Sequence, residues 1–140
     1  DVEISRDGSS ALIDEVHEAG AIIVASFHDF EGTPGDEQLA EVLAAMNFAG
    51  ADVLKFACLA HSATDAARVL AAQAWAREAY DRPVIGISMG EHGAPTRLVG
   101  SALGSAATFA TLPGWQGSAP GQFTVEQVRA VLDIVEGSGD

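Results

Sequence analysis

The alternation of short, largely apolar runs with amphipathic stretches most restricts what this chain can fold into. Strands are predicted over residues 1–4, 21–27, 53–59, 84–89 and 107–112. Each is followed by a helical pattern, which predicts a parallel sheet with right-handed crossovers. Such apolar strands are typical of a sheet covered on its faces. An open doubly wound sheet and a (β/α)8 barrel both satisfy the pattern.

The helices are read from apolar residues spaced three and four apart. They are predicted over residues 9–19, 36–48, 64–80 and 96–103, with a last helix opening at Thr124 after a loop at 113–122. Asp36 is a plausible N-cap of the second helix, and Gly50 a stop after it. Thr124 and Gln127 have the spacing of a capping box.

A length of 140 residues is ordinary for one domain. A complete (β/α)8 barrel takes about 250 residues, or about 200 at the low end, so five strand–helix units in 140 residues are a little over half of one. No glycine-rich loop opens the first helix, so a dinucleotide fold lacks direct support. The sequence shows neither a membrane-length apolar run nor a signal peptide, which makes a cytoplasmic protein the expectation. The single cysteine, Cys58, permits no internal disulfide.

The charge is strongly acidic. Twenty acidic and seven basic residues give a formal net charge of −13, which makes nucleic acid and anionic membranes poor partners. Six of the basic residues are arginines, and Lys55 is the one lysine. An acidic, lysine-poor and alanine-rich composition suggests adaptation to high salt, where screening removes self-repulsion. A chain that avoids lysine on its surface needs another reason for keeping Lys55.

Lys55 lies inside the apolar run VLKFACL. Strand alternation puts it on a face with Val53 and Ala57, opposite a bulkier face with Leu54 and Phe56. Burial lowers the pKa of an amine, and a neutral amine attacks carbonyl carbon to form a Schiff base. The alternative is a lysine on an edge strand that reaches out to water. The apolar surroundings and the absence of other lysines favour the nucleophile.

Two further polar residues follow strands of the predicted sheet. His28 ends the second strand, on the face that carries Val24 and Ser26, and Arg97 follows the fourth strand. Parallel α/β folds place their sites at these carboxyl ends. His28 could equally cap its strand through a backbone hydrogen bond. No histidine pair has metal-binding spacing, so a metal site is not expected.

These residues sit in motifs that resemble those of the type I 3-dehydroquinate dehydratases. The resemblance is carried, in order, by SFHDF at 26–30 with Thr33-Pro34, ADVLK at 51–55, SMG at 88–90 with Arg97-Leu98, GSAATF at 104–109 and SAPGQ at 118–122. It implies a (β/α)8 barrel of which residues 1–140 form the C-terminal part, strands four to eight. Strands one to three would precede residue 1. The resemblance also implies that the missing part holds further substrate-binding residues and the acidic partner of the histidine.

The implied activity is that of a lyase which dehydrates 3-dehydroquinate to 3-dehydroshikimate, without cofactor or metal, in the shikimate pathway. Lys55 would form the Schiff base and His28 would be the acid–base residue, while Arg97, Ser118 and Gln122 would bind substrate. Two alternatives stay open. One is another class I aldolase-type barrel. The other is a half-barrel that is inactive until it pairs with its N-terminal half, a second chain or another copy of itself.

Overall fold

A computed structural model describes residues 1–117, 119 and 121–137, and its centre is a four-stranded parallel sheet. The strands are β1 (Val2–Glu3), β2 (Val24–Asp29), β3 (Val53–Leu59) and β4 (Val84–Met89), in the spatial order β1-β2-β3-β4. The helices are α1 (Ser9–Glu18), α2 (Asp36–Phe48), α3 (Ala63–Ala79), α4 (Thr96–Val99) and α5 (Val125–Glu136), with a 3-10 turn at Ser101–Leu103. The α/β class and the strand–helix alternation are confirmed.

The two faces of the sheet differ as the alternation in β3 predicts. Leu54, Phe56 and Cys58 are fully buried in the main core. That core also takes apolar residues from the first three helices: Ile13, Leu39, Leu43, Met46, Val69 and Ala76. The opposite face is a smaller cluster of Ala57, Ile85, Ile87 and Met89. Lys55 alternates with the residues of the main core, so it lies on the face away from the helices.

The strand register sets the spacing of the polar residues. Ser26 is opposite Lys55 in the β2–β3 pair, and His28 is opposite Ala57. His28 and Lys55 therefore lie on the same face of adjacent strands, one register step of two residues apart. His28 lies near the carboxyl end of β2, whereas Lys55 is the third residue of β3, below that end.

The helix ends agree with the predictions in most places. Gly50 has a φ of +82°, as a left-handed residue after α2 requires. Thr124 and Gln127 form the predicted capping box of α5. The assignment of Asp36 as an N-cap was wrong: Gly35 occupies that position without a side-chain hydrogen bond, and Asp36 is the first helical residue.

The fifth strand expected over residues 107–112 is not formed in the described part of the chain. Ala106 N donates to Val84 O at 2.8 Å, which is one rung of a parallel ladder, and Val84 bridges to Ser105. The next β4 donor on that side, Gly86 N, instead donates to Gln73 Oε1 at 3.0 Å. A side-chain amide thus takes the place of a strand carbonyl, and the chain diverges from β4 after its first rung.

The helix expected over residues 96–103 is also interrupted. It is a four-residue helix, α4, followed at Gly100 by the 3-10 turn. Strand β2 begins three residues later than predicted and extends through His28 and Asp29. Among the described residues, no helix combines the length and the apolar character needed to cross a membrane.

Candidate active site

Lys55 is the chemical centre of the candidate site. Its side chain is 14% exposed, and burial lowers the pKa of its amine while the nearby Glu3 carboxylate opposes that effect. The Phe109 ring lies 5.6 Å from Nζ, so an aromatic face covers part of the amine. A lowered pKa increases the fraction of neutral, nucleophilic amine at a given pH.

Asp1 provides the direct ionic partner of Lys55. Lys55 Nζ donates to Asp1 Oδ2 at 2.8 Å, and Ser26 Oγ donates to the other carboxylate oxygen, Asp1 Oδ1, at 2.5 Å. Ser26 is opposite Lys55 in the register, so one carboxylate bridges adjacent strands. The Asp1 side chain is 47% exposed, which leaves this ion pair open to solvent screening.

His28 is oriented by Glu3 of strand β1. The His28 Nδ1 atom lies 2.7 Å from Glu3 Oε2, and the imidazole stacks on Phe30 with ring planes 7° apart. A carboxylate on Nδ1 fixes the ring and leaves Nε2 for other chemistry. The resemblance implies an acidic partner before residue 1; within this chain, Glu3 provides an acidic partner for the imidazole.

Arg97 is placed by α4 and is almost completely buried, at 4% exposure. Burial lowers the pKa of its guanidinium, which stays charged at neutral pH. Its Nε has no hydrogen-bond partner among the described residues, and the same holds for Ser88 Oγ and Ser101 Oγ. A buried cation with an unused donor is suited to receive an anionic group from a ligand.

One cavity of about 200 Å³ brings these side chains together. Its lining is His28, Phe30, Lys55, Ala57, Ile87, Met89, Arg97, Phe109, Ala119 and Gln122. Four of the five predicted site residues therefore meet in one place. The fifth, Ser118, lies outside the described residues. The cavity suits a small molecule that carries both a carbonyl group and a negative charge.

The loop that carries Gln122 packs tightly over the β4–α4 turn. Gly121 has a φ of +78°, and a Cβ there would lie 2.8 Å from the carbonyl oxygen of Gly90. Gln122 packs against Gly117, where a Cβ would lie 2.7 Å from its Oε1. At position 121, only glycine permits both the left-handed backbone conformation and the close approach to Gly90. The loop therefore packs closely at the mouth of the cavity.

Other reactive groups do not contribute to this site. Burial raises the pKa of the Cys58 thiol to about 12, because Cys58 faces the main core. Within the described residues, no three His, Cys, Asp or Glu side chains lie close enough together to hold a metal ion.

Asp1 and Glu3 are the site residues that sequence reasoning missed. They alternate within the first predicted strand, so both lie on one face of it. In the parallel register, Glu3 is opposite Ser26. The signal that could have identified them is a pair of acids on one face of a short strand that precedes the histidine strand.

Fold and site together define an α/β protein in which a partly buried amine, an imidazole and a buried guanidinium line one cavity on one face of a parallel sheet. The model of one family, described as type I 3-dehydroquinase, matches residues 1–138. The chain belongs to this family.

Curated relatives and solved structures agree with that assignment. The 3-dehydroquinate dehydratase of Klebsiella pneumoniae is 40% identical over 138 residues, which is 96% of this chain and 54% of that protein. The crystal structure of 3-dehydroquinate dehydratase from Geobacillus kaustophilus matches with a TM-score of 0.87 and 37% identity, over 94% of this chain and 50% of that one. A type I 3-dehydroquinate dehydratase from Clostridium difficile, solved with covalently modified comenic acid, matches with a TM-score of 0.82 and 34% identity, over 92% of this chain and 52% of that one.

The chain spans about half the length of these relatives. Its sheet and helices correspond to about half of the (β/α)8 barrel that the related structures form.

Proposed function

We propose that this chain carries the catalytic half of a 3-dehydroquinate dehydratase, a lyase that converts 3-dehydroquinate to 3-dehydroshikimate through a Schiff base on Lys55. The observation that carries the proposal is the convergence of Lys55, His28 and Arg97 on one cavity. Membership of the type I 3-dehydroquinase family favours dehydration over aldol cleavage. The covalently modified comenic acid of the Clostridium difficile relative supports covalent chemistry in this family.

The proposed reaction begins with the Lys55 amine. It attacks the substrate ketone to give a carbinolamine, and loss of water from that adduct forms an iminium. The iminium draws electrons from the neighbouring C–H bond, so a base can remove that proton. The resulting enamine expels the substrate hydroxyl as water, and hydrolysis of the imine then releases product and restores the lysine.

His28 would move the protons in these steps. Its Nδ1 is held by Glu3 at 2.7 Å, which leaves Nε2 to take the C–H proton and to protonate the departing hydroxyl. General acid–base catalysis of this kind contributes roughly 10²–10⁴ in rate. Glu3 would stabilise the imidazolium that forms between the two steps.

Arg97 would bind the substrate carboxylate. Its guanidinium is buried and has an unused Nε donor, and a bidentate pair with a carboxylate fixes both position and orientation. Gln122, together with Ser118, would bind substrate hydroxyls or the carboxylate as the loop over residues 113–122 covers the cavity. Covering the cavity would exclude water from the iminium.

We propose that residues 1–140 form the C-terminal part of one barrel domain, with β1 to β4 as strands four to seven. Residues 107–112, which form no strand in this structure, would occupy the place of strand eight. The other half of the barrel, or a second chain such as another copy, would complete the site. Open sheet edges associate unless they are paired. Size-exclusion chromatography in high salt tests this idea, because a well-folded monomer of this chain alone would argue against the need for pairing.

Borohydride trapping with 3-dehydroquinate tests the chemistry. We expect one reduced adduct by intact mass, located on Lys55 by peptide mapping and absent in Lys55→Ala. The mapping separates Lys55 from the N-terminal amine, and circular dichroism checks that Lys55→Ala stays folded. The decisive version uses the chain joined to the other half of its barrel. A missing adduct there, or one that persists in Lys55→Ala, would exclude the mechanism.

The acidic composition supports a protein of a high-salt cytoplasm. With a formal net charge of −13, self-repulsion destabilises the fold when salt is too dilute to screen it. We expect the thermal midpoint to rise as NaCl replaces low-salt buffer. A midpoint that is constant between dilute and molar salt would remove the support for halophily.

A further inference from the structure

Gln73 connects α3 to the turn that ends α4. It is fully buried, and its Nε2 donates to Gly100 O at 3.0 Å and to Leu103 O at 3.1 Å. Its Oε1 accepts from Gly86 N of β4 at 3.0 Å. One side chain therefore pairs with an N–H group of the sheet and with two carbonyls at the turn. Such pairing matters because an unpaired polar group in a buried position lowers the stability of the fold.

Gly86 makes room for this amide. A Cβ at Gly86 would lie 2.7 Å from Gln73 Oε1, 3.0 Å from Gln73 Cβ and 3.0 Å from the Phe56 ring. Any larger residue at position 86 would push the amide out of its hydrogen bonds. Gln73 and Gly86 are therefore matched in size, because the amide occupies the space that a Cβ at position 86 would need.

The turn that Gln73 contacts directly follows the helix that carries Arg97. Arg97 belongs to the four-residue helix α4, and Gly100 is the residue on which that helix ends. A helix this short has little stability of its own. Among the described residues, two other side-chain hydrogen bonds hold this helix: Thr96 Oγ1 donates to Gly93 O at 2.7 Å, and Thr108 Oγ1 donates to Arg97 O at 2.9 Å. The hydrogen bond from Gln73 to Gly100 connects the end of α4 to α3.

We propose that Gln73 is a positioning residue that sets the Arg97 guanidinium for the substrate carboxylate. This role rests on the proposed function, because it treats Arg97 as the anion-binding group. Gln73 itself does not line the cavity. It acts through Gly100 and Leu103, whose carbonyls fix the end of the helix that carries Arg97.

The Nε–Hε NMR signal of Arg97 tests the proposal without any requirement for turnover. The signal is assigned by its loss in Arg97→Lys. In Gln73→Met, which keeps a side chain of similar length but has no amide, we expect the signal to move and its hydrogen exchange to accelerate roughly tenfold. Val69→Ala is the matched control, because Val69 is fully buried one turn away in the same helix.

The control separates positioning from general loss of stability. Val69→Ala should leave the Arg97 signal in place although it weakens the core. Equal effects of the two variants, or an unmoved signal in Gln73→Met, would overturn the proposal. Should Gln73→Met fail to fold, Gly86→Ala decides the question alone, because it displaces the same amide and is expected to move the same signal.

Trapping kinetics provide the second measurement. In Gln73→Met we expect the half-saturating concentration of 3-dehydroquinate to rise roughly tenfold, with trapping at saturation changed less than about twofold, the pattern of a lost binding contact. A fall in the saturating rate alone would contradict positioning through Arg97. If the wild-type chain joined to the other half of its barrel forms no adduct, the proposed function fails, and the NMR signal still tests the role of Gln73.

Discussion

Replacement of Asp1 by Asn should make Lys55 a better nucleophile at neutral pH. The Asp1 carboxylate lies 2.8 Å from the Lys55 amine and favours its charged form. Asn keeps an oxygen for the Ser26 hydroxyl and removes the negative charge. Burial, which lowers the pKa of Lys55, then acts with less opposition, so the pKa should fall further.

The size of this change follows from the exposure of the two groups. Coulomb's law at 2.8 Å gives several kcal/mol for a poorly solvated pair, but the Asp1 side chain is 47% exposed and water screens it. Exposed ion pairs contribute about 0.2–1 kcal/mol, and one pKa unit corresponds to about 1.4 kcal/mol. The expected decrease in the pKa of Lys55 in Asp1→Asn is therefore about half a unit. The neutral fraction near pH 7 should then rise about threefold.

The chain allows this pKa to be measured directly. Lys55 is its one lysine, so lysine labelled with ¹³C at Cε gives a single NMR signal that can be followed through a pH titration. Glu37→Gln is the matched control, because Glu37 is an exposed acid in α2, on the helix-covered side of the sheet. That variant should leave the midpoint unchanged within about a tenth of a unit, since screening removes distant charges.

A midpoint in Asp1→Asn equal to or above that of the wild type would mean that Asp1 does not hold the charged form of Lys55. A wild-type midpoint at or above 10.5, the ordinary value for lysine, would mean that burial does not dominate at this amine. In the second case Lys55 would also lose its advantage as a nucleophile.

Three further variants probe the site and its supports. His28→Ala should slow turnover roughly 10²–10⁴-fold while some imine is still trapped, and unchanged turnover would remove His28 from its role. Asp52→Asn should cost up to about 1 kcal/mol at pH 6, because bonds from Ile23 N and then His17 lower the pKa of Asp52. Because the pKa of Asp52 is lowered in the folded state, its carboxylate stabilises the fold at pH values above 3.8, and this contribution is lost as the pH falls through the folded-state pKa. The free energies of unfolding of Asp52→Asn and the wild type, measured by denaturant melts, should therefore converge in strong acid. Leu43→Ala should cost about 2–5 kcal/mol by the same melts, because Leu43 is fully buried in the main core; a loss below 1 kcal/mol would refute that packing.

Much of the fold was predictable because strand periodicity is a local property. The run VLKFACL determines which of its residues share a face, and that placed Lys55 opposite Leu54 and Phe56 before any tertiary contact was known. The parallel order followed from the strand–helix alternation. His28 and Arg97 were found because the carboxyl ends of parallel strands converge.

The missed features depend on contacts between distant segments. Glu3 and Asp1 are ordinary acids in an acidic chain until the register of β1 places them beside His28 and Lys55. The predicted fifth strand was wrong because Gln73, more than thirty residues earlier in the chain, takes the hydrogen bond of Gly86. Local sequence patterns carry no information about such a replacement, since its cause lies in another element.

The buried thiol of Cys58 has a practical consequence for spectroscopy on this chain. Maleimides and iodoacetamides react with thiolates, and a fully buried thiol with a pKa near 12 presents almost none of that form to solvent. A cysteine introduced at a surface position could therefore be labelled with a fluorophore or spin label while the native one is left in place. Distances across the barrel could then be measured without first engineering a cysteine-free background.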